Sequence, residues 1–269
     1  MLGATGSVTM PAGDVPSEDN AVALLLNEIY FRFQGLYGPN QTDAFFAEAA
    51  KTMFDAVANS QAEAQDVVKA VTQGVNEHRI MAWSSHPEEQ KILETTPLAG
   101  ILPITNEAST TTGVFLRDMS ASKMDFYLET AATLSTDVCT ATTPTFTTTV
   151  NLHSTVTPEI AARLPKYVAS EAWGITQFRT EVFANGPPGT TFVSSSIDAV
   201  DGASLETTTD DLGRPVARFS VMLTPGQTSA VTAVFTGPAG NYAAPELRTT
   251  PMLNPTAVTV DAPDCGPAK

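Results

Sequence analysis

Strand-forming segments separated by turn residues fill the chain from residue 145 almost to its end, and that pattern restricts the C-terminal half to an all-β body. TFTTTVNLHSTV, ITQFRTEVFA, TTFVSSSIDAV, RPVARFSVML, TSAVTAVFTG and TAVTVDA are all rich in β-branched and aromatic residues. Between them stand GPPG at 186–189, DG at 201–202, DLGR at 211–214 and PG at 225–226. These residues supply the positive φ or the preset geometry that tight turns need. Strands at this spacing predict an immunoglobulin-like β-sandwich over residues 139–269, although the Cys–Trp–Cys pattern of antibody domains is missing. One short helical turn is expected within it, at 158–163.

The first half follows a different period. Val22, Leu25, Leu26, Ile29 and Phe33 recur at helical spacing, with Ser17 as the expected N-cap and Gly35, Gly38 and Pro39 as the stop. Phe46, Ala49, Ala50, Met53, Phe54 and Val57 form a second stripe, beginning near Thr42 or Asp43, and Ala64, Val67, Val68, Val71 and Val75 form a third. A strand is expected at 7–10 before these helices. Another is expected at 79–83, followed by a turn at 84–87 and a helical turn or two at 88–94. The run LAGILPI, 98–104, reads as a buried extended piece. In residues 113–139, Met124, Phe126 and Leu128 alternate with Lys123, Asp125, Tyr127 and Glu129, and Ser120, Ala121 and Ser122 suit a turn. This stretch predicts a β-hairpin. The expected fold class is therefore α+β: residues 1–138 form a helical layer packed on a small sheet or hairpin, and residues 139–269 form the immunoglobulin-like sandwich.

Charge narrows the partners. The 29 acids against 14 bases give a net charge of −15, and no basic run exists to release counterions from phosphates, so nucleic acid is excluded as an expected partner. No run approaches the ~20 apolar residues of a membrane span, and the first residues lack the pattern of a signal peptide. An opening that reads as a strand and turn suggests the downstream piece of a longer protein. Cys139 and Cys265 bracket the β-rich half. In a secreted protein this placement predicts a disulfide, with about 4–5 kcal/mol from closing so long a loop; in the cytosol it would mean two unrelated thiols. Low lysine content and abundant Thr, Ser and Pro favour the oxidising side.

The segments GDVPSEDNAVALLLNEIYFRF, QTDAFFAEAAKTMFDAV, RIMAWSSHPEEQKIL and GVFLRDMSASKMDFYL, and more loosely LPKYV, VFANGPPG and LTPGQTSAVTAVFTG, resemble a family of uncharacterised, membrane-anchored exported proteins of actinobacteria. That family is catalogued as domain of unknown function four thousand and twelve and is often encoded among genes for cell-surface polysaccharide. The resemblance implies a C-terminal extracellular portion, with a transmembrane anchor and a longer helical region upstream. It also agrees with the disulfide. It carries no catalytic residues to transfer.

Motifs with chemical potential are few. Ser120-Ala-Ser-Lys123 matches the S-x-x-K of penicillin-binding serine enzymes, but it falls in an expected turn and has no S-D-N or K-T-G companion. His78, His86 and His153 are the only histidines; no H-E-x-x-H is present, and His78 with His86 and Glu88 or Glu89 makes at most a loose oxygen–nitrogen set. Adjacent Glu88 and Glu89 point in different directions on a helix and are no glycosidase pair. No nucleotide loop exists, and no cofactor, metal or catalytic residue is expected. Trp83, beside Ser84, Ser85 and His86, sits where an indole face could stack on a sugar ring, although core packing is the commoner fate of Trp. Tyr30 and Arg32 belong to an aromatic cluster with one cation that could line a groove. The expected ligand-binding residues are therefore Trp83, His86, Arg32 and Tyr30, and the expected partners are cell-wall polysaccharide or envelope proteins. The expected role is a non-catalytic extracellular module of the cell envelope. The alternatives are part of a polysaccharide-transferring or hydrolysing enzyme with catalytic residues partly upstream, and a protein–protein adhesion module.

Overall fold

A computed structural model describes residues 6–35, 37–59, 64–169, 176–199 and 203–263. The chain divides between Ile101 and Leu102 into two compact units, not after residue 138, because the stretch expected to form the hairpin belongs to the sandwich.

The first unit is helical. α1, Ala21–Ala23, passes through a π-turn, Leu24–Glu28, into α2, Ile29–Arg32. A π-turn inserts an extra residue into the helical repeat, so the buried side chains are Leu24, Ile29 and Tyr30, while Val22 is half exposed. α3, Gly38–Ala58, starts four residues before the expected Thr42. Pro39 lies in its first turn, where a preset φ favours the helix and no N–H is required. Gly38 is obligatory there: a Cβ would lie 2.4 Å from the Phe33 carbonyl oxygen, so only glycine lets the chain turn back this tightly. Phe45 packs edge-on to Phe33 at 6.2 Å and to Phe46 at 6.0 Å. α4, Ala64–Asn76, and α5, Pro87–Leu93, follow. The expected strands at 7–10 and 79–83 are extended loops. Around the Pro11–Gly13 turn, Val8 N–H donates to Pro16 O (3.0 Å) and Met10 N–H to Asp14 O (2.8 Å), with no regular strand.

The second unit is a two-sheet sandwich-like body. Its strands are β1 Thr110–Asp118, β2 Leu128–Thr136, β3 Thr145–Ser154, β4 Phe178–Asn185, β5 Thr191–Asp198, β6 Ser204–Thr209, β7 Pro215–Leu223, β8 Thr228–Thr236, β9 Pro245–Thr249 and β10 Ala257–Asp261, with a short α6, Pro158–Ala161, between β3 and β4. One sheet has the order β6-β7-β4-β1-β9 and the other β10-β2-β3-β8-β5. Pairing is antiparallel except for β1 with β9 and β2 with β10, which run parallel. Alternation places Leu134, Phe146, Leu152 and Phe235 from one sheet, and Phe178, Phe219, Val221 and Leu223 from the other, in complete burial. These inward rows form the core.

The hairpin expected at 113–139 is absent. β1 and β2 lie in different sheets, and the chain crosses between them through a 3₁₀ turn, Met124–Tyr127. Met124 and Tyr127, three residues apart, are both buried, which is the spacing of a 3₁₀ face and not of a strand. Backbone bonds from Met119 N–H to Arg179 O and from Lys123 N–H to Val168 O, both 2.8 Å, hold the crossing. Among the described residues no helix is long and apolar enough to cross a membrane.

Candidate functional site

The loop that carries Trp83 is set by the end of α4. His78 adopts φ +55°, His78 N–H donates to Val75 O (3.0 Å) and Arg79 N–H to Gly74 O (2.8 Å). This is a Schellman C-cap, with His78 at its left-handed position. Ile80 then folds back onto Gly74, where a Cβ would meet its Cδ1 at 2.7 Å. His78 therefore has a backbone role at the helix end.

Beyond the cap the chain runs extended and is fastened on two sides. Ala82 N–H donates to Leu98 O at 2.9 Å. Ser84 N–H donates to Gln90 Oε1 (3.0 Å), Ser84 Oγ donates to Glu89 Oε2 (2.6 Å), and His86 N–H donates back to Ser84 Oγ (3.1 Å). Pro87 opens α5, and Glu88 and Glu89 occupy its first turn, where negative charge is favoured. Between these two sets of bonds the Trp83 side chain stands 76% exposed, with Met81 at 60% nearby in sequence. His86 stands at the N-cap of α5 without a side-chain capping bond and is exposed. A fastened backbone thus presents an exposed indole, with an exposed His86 three residues further along the chain. Such a surface can stack on an apolar ring face and bond its polar edge.

The other two expected ligand residues are occupied differently. Arg32 Nη1 and Nη2 donate to Asp14 Oδ2 and Oδ1, both at 2.8 Å, and its guanidinium lies 6.0 Å from the Phe45 ring centre. That hydrogen-bonded pair holds the Asp14 carboxyl below the usual carboxylate range and raises the Arg32 guanidinium. Tyr30 is 5% exposed, with its ring 6.0 Å from Phe46. Both side chains serve the packing of α2, α3 and the opening loop. A depression in the first unit is lined by one face of α4, Val68, Lys69, Thr72, Gln73 and Asn76, and by Glu77 just beyond it, which brings a single carboxylate and neither Arg nor His.

In the second unit, Ser120 and Lys123 do not form a nucleophile–base pair. Ser120 is buried and its Oγ accepts the Arg179 N–H, while Lys123 Nζ lies 5.9 Å over the Tyr167 ring. Asp118 accepts from Ser120 N–H (2.6 Å), Ser122 N–H (2.9 Å) and Ser122 Oγ (3.0 Å). Asp125, which the sequence did not single out, is pushed up to about 6 by burial and then by the charge of Asp118, against Lys123. His153 Nδ1 lies 3.0 Å from Thr228 Oγ1 on the open face of its sheet. No group of three His, Cys, Asp or Glu able to hold a metal occurs among the described residues. The pairing expected for Cys139 involves Cys265, which lies outside the described residues.

No family model matches the chain, and no curated protein matches it. Among solved structures, one from Legionella pneumophila, described as a "putative nutrient binding protein", aligns at 9% identity over 48% of this chain and 44% of that one, with a TM-score of 0.26. A likeness that slight carries no argument about fold or function.

Proposed function

We propose that the chain is a non-catalytic extracellular module of the cell envelope that engages surface polysaccharide through the Trp83 loop. One observation carries this reading: a 76% exposed indole on a backbone fastened at Ala82, Ser84 and His86. Solvating an apolar ring of this size is unfavourable, and fixing it in place lowers the entropy lost on stacking against a sugar. Ser120 and Lys123 are engaged in separate contacts and form no nucleophile–base pair, which supports a binding role over a catalytic one. An anchor and a longer helical region upstream, as the family resemblance implies, belong to the same proposal. So does an immunoglobulin-like class for the sandwich.

The extracellular setting has its own support. β10 pairs with β2 at a constant offset, Ala257 with Ala131 through Asp261 with Ser135, a difference of 126 (257 − 131), and Cys265 follows Cys139 by the same 126. No free cysteine stands among the described residues. We read the two as a disulfide; intact mass measured before and after reduction should differ by two hydrogens.

The experiment is a thermal-shift screen of the full chain against cell-wall glycans and polyprenyl-linked sugars. Binding to the folded state alone raises the melting temperature, and Trp83→Ala should abolish the shift. A second reading, glycan hydrolysis, draws on the Asp118 and Asp125 carboxyls: Asp118 accepts three hydrogen bonds, and Asp125 is pushed up to about 6 by burial and then by the Asp118 charge. A carboxyl raised towards neutral pH suits acid–base work. Release of reducing sugar that Asp125→Asn abolishes would favour it over the binding module.

A further inference from the structure

Arg214 is fully buried, yet two of its guanidinium nitrogens meet no acceptor. It lies at the end of the sandwich where β4 finishes and β7 begins. Nη2 donates to Pro103 O at 2.8 Å, whereas Nε and Nη1 are enclosed without a partner. Two amide oxygens at the same end of the sandwich are also enclosed and unpartnered, Asn185 Oδ1 and Asn106 Oδ1. Their own nitrogens are engaged: Asn185 Nδ2 donates to Asp210 Oδ2 (3.0 Å) and Asn106 Nδ2 to Pro188 O (2.9 Å).

Buried groups of this kind are rarely left unmet, and a charged one least of all. The local charges identify what meets them. Asp210 lies near enough to stabilise the Arg214 cation and Arg248 near enough to oppose it, while Arg248 is itself paired with Glu246 at 2.8 Å. Two cations stand against two carboxylates, so an added anion would leave an uncompensated buried charge. The unmet groups include donors and acceptors, so the occupant must both accept and donate. Nε and Nη1 face opposite edges of the guanidinium plane, so one acceptor cannot serve both.

We propose that this end of the sandwich contains a permanent internal water site, with one water on Arg214 Nε and another on Nη1, shared with the Asn185 side chain and reaching toward Asn106. The site is independent of the Trp83 reading. Through it Arg214 fastens three loops: 102–109 through Pro103 and Asn106, 186–190 beside Asn185, and the 210–214 turn through Asp210. Asp210 Oδ1 accepts both Leu212 N–H and Arg214 N–H at 2.9 Å. The waters complete a polar network that no side chain among the described residues closes.

The test is a crystal structure of the full chain at a resolution that shows ordered water, together with water-relaxation dispersion on the native protein and Arg214→Met. Density within hydrogen-bond distance of Nε and Nη1, and a loss of about two long-lived waters in the variant, are expected; the roughly 3-hydrogen-bond average of a buried water sets what each should make. Hydrogen exchange at 102–109 and 210–214 should also accelerate in Arg214→Met, while exchange at the opposite end of the sheets stays unchanged. A carbonyl directly on Nε and Nη1 overturns the proposal, as does an unchanged count of long-lived waters. Bromide in place of water on the guanidinium overturns its neutral chemistry. If Arg214→Met does not fold, the native density alone decides, with Arg214→Lys expected to keep fewer waters than the native chain.

Discussion

The two units share clean hydrophobic patterning and differ in what covers it. In the sandwich Phe146, Phe178, Phe219 and Phe235 are fully buried, each on the inward row of a strand. In the helical unit Phe54 and Val68, which lie on equally regular stripes, are 72% and 63% exposed, and α4 buries no side chain. Burial in the helical unit is concentrated around Leu24, Ile29, Tyr30, Phe45 and Ala49. The contrast separates two properties that a periodic pattern merges. Period reports which side chains share a face; whether anything lies against that face depends on the rest of the chain. Stability should accordingly concentrate in the sandwich, and exposed apolar side chains able to meet a ligand in the helical unit.

Mutations can break this comparison or sharpen it. The largest effect belongs to the sandwich core: Phe219→Ala should cost about 3–5 kcal/mol in chemical denaturation, from lost transfer energy and the cavity left behind. Phe54→Ala, with the same chemistry on an exposed stripe, should change stability by less than about 0.5 kcal/mol. Equal costs for the two would mean that Phe54 is covered in the native protein.

Asp125 comes next. Its carboxyl is pushed up to about 6, so the folded state holds the proton more tightly than the unfolded chain. Protonation therefore stabilises the fold, and the contribution is lost as pH rises from near 4 through 6. Asp125→Asn should raise stability at pH 7 by about 1–3 kcal/mol and leave it nearly unchanged below pH 4. Denaturant titrations of both proteins across that range decide the point; an equal offset at every pH would contradict it.

The Asp14–Arg32 clamp has the opposite sign. Its hydrogen-bonded arginine lowers the Asp14 carboxyl, so its contribution is present above the usual carboxylate range and disappears as pH falls through the lowered value. The pair is partly exposed, at 42% and 14%, so Asp14→Asn should cost no more than about 1 kcal/mol at neutral pH. The loss should shrink in acid. Smallest of all is Trp83→Ala, expected within about 0.5 kcal/mol of the native stability, with its consequence confined to binding.

Strands β3, β7 and β8 were legible because each buries one face, so alternation survives in the sequence. β6 was not, since all six of its residues are exposed and no alternation marks it. β9 begins at a proline and pairs in parallel with β1, more than a hundred residues earlier, so no local signal announces it. The same cause defeated the hairpin: strand character in 113–139 was readable, but whether consecutive strands pair or cross between sheets is decided by distant partners such as Arg179 and Val168. The π-turn shifted the buried face of the first helix by an amount that a 3.6-residue period does not contain.

The candidate site was legible only in part. His86 stands exposed at the turn the sequence indicated, whereas Trp83, expected at the end of a strand where core packing is the commoner fate, stands exposed on a loop. Arg32 and Tyr30 looked equally suitable, and the residue that engages Arg32 lies 18 positions upstream. Arg214 was read only as part of a turn; it is fully buried and bonded to Pro103, which lies 111 positions away in sequence. Asp125 was passed over for the same reason, since its burial follows from the crossing between the sheets.

The central claim is tested most directly by calorimetric titration of the native chain and Trp83→Ala with purified cell-wall polysaccharide, each protein first shown to melt at the same temperature. The account predicts saturable binding by the native chain and at least a tenfold weaker affinity in the variant, a difference of about 1.4 kcal/mol or more. Equal affinity of the two proteins, or no heat from the native chain with any envelope glycan, would contradict it.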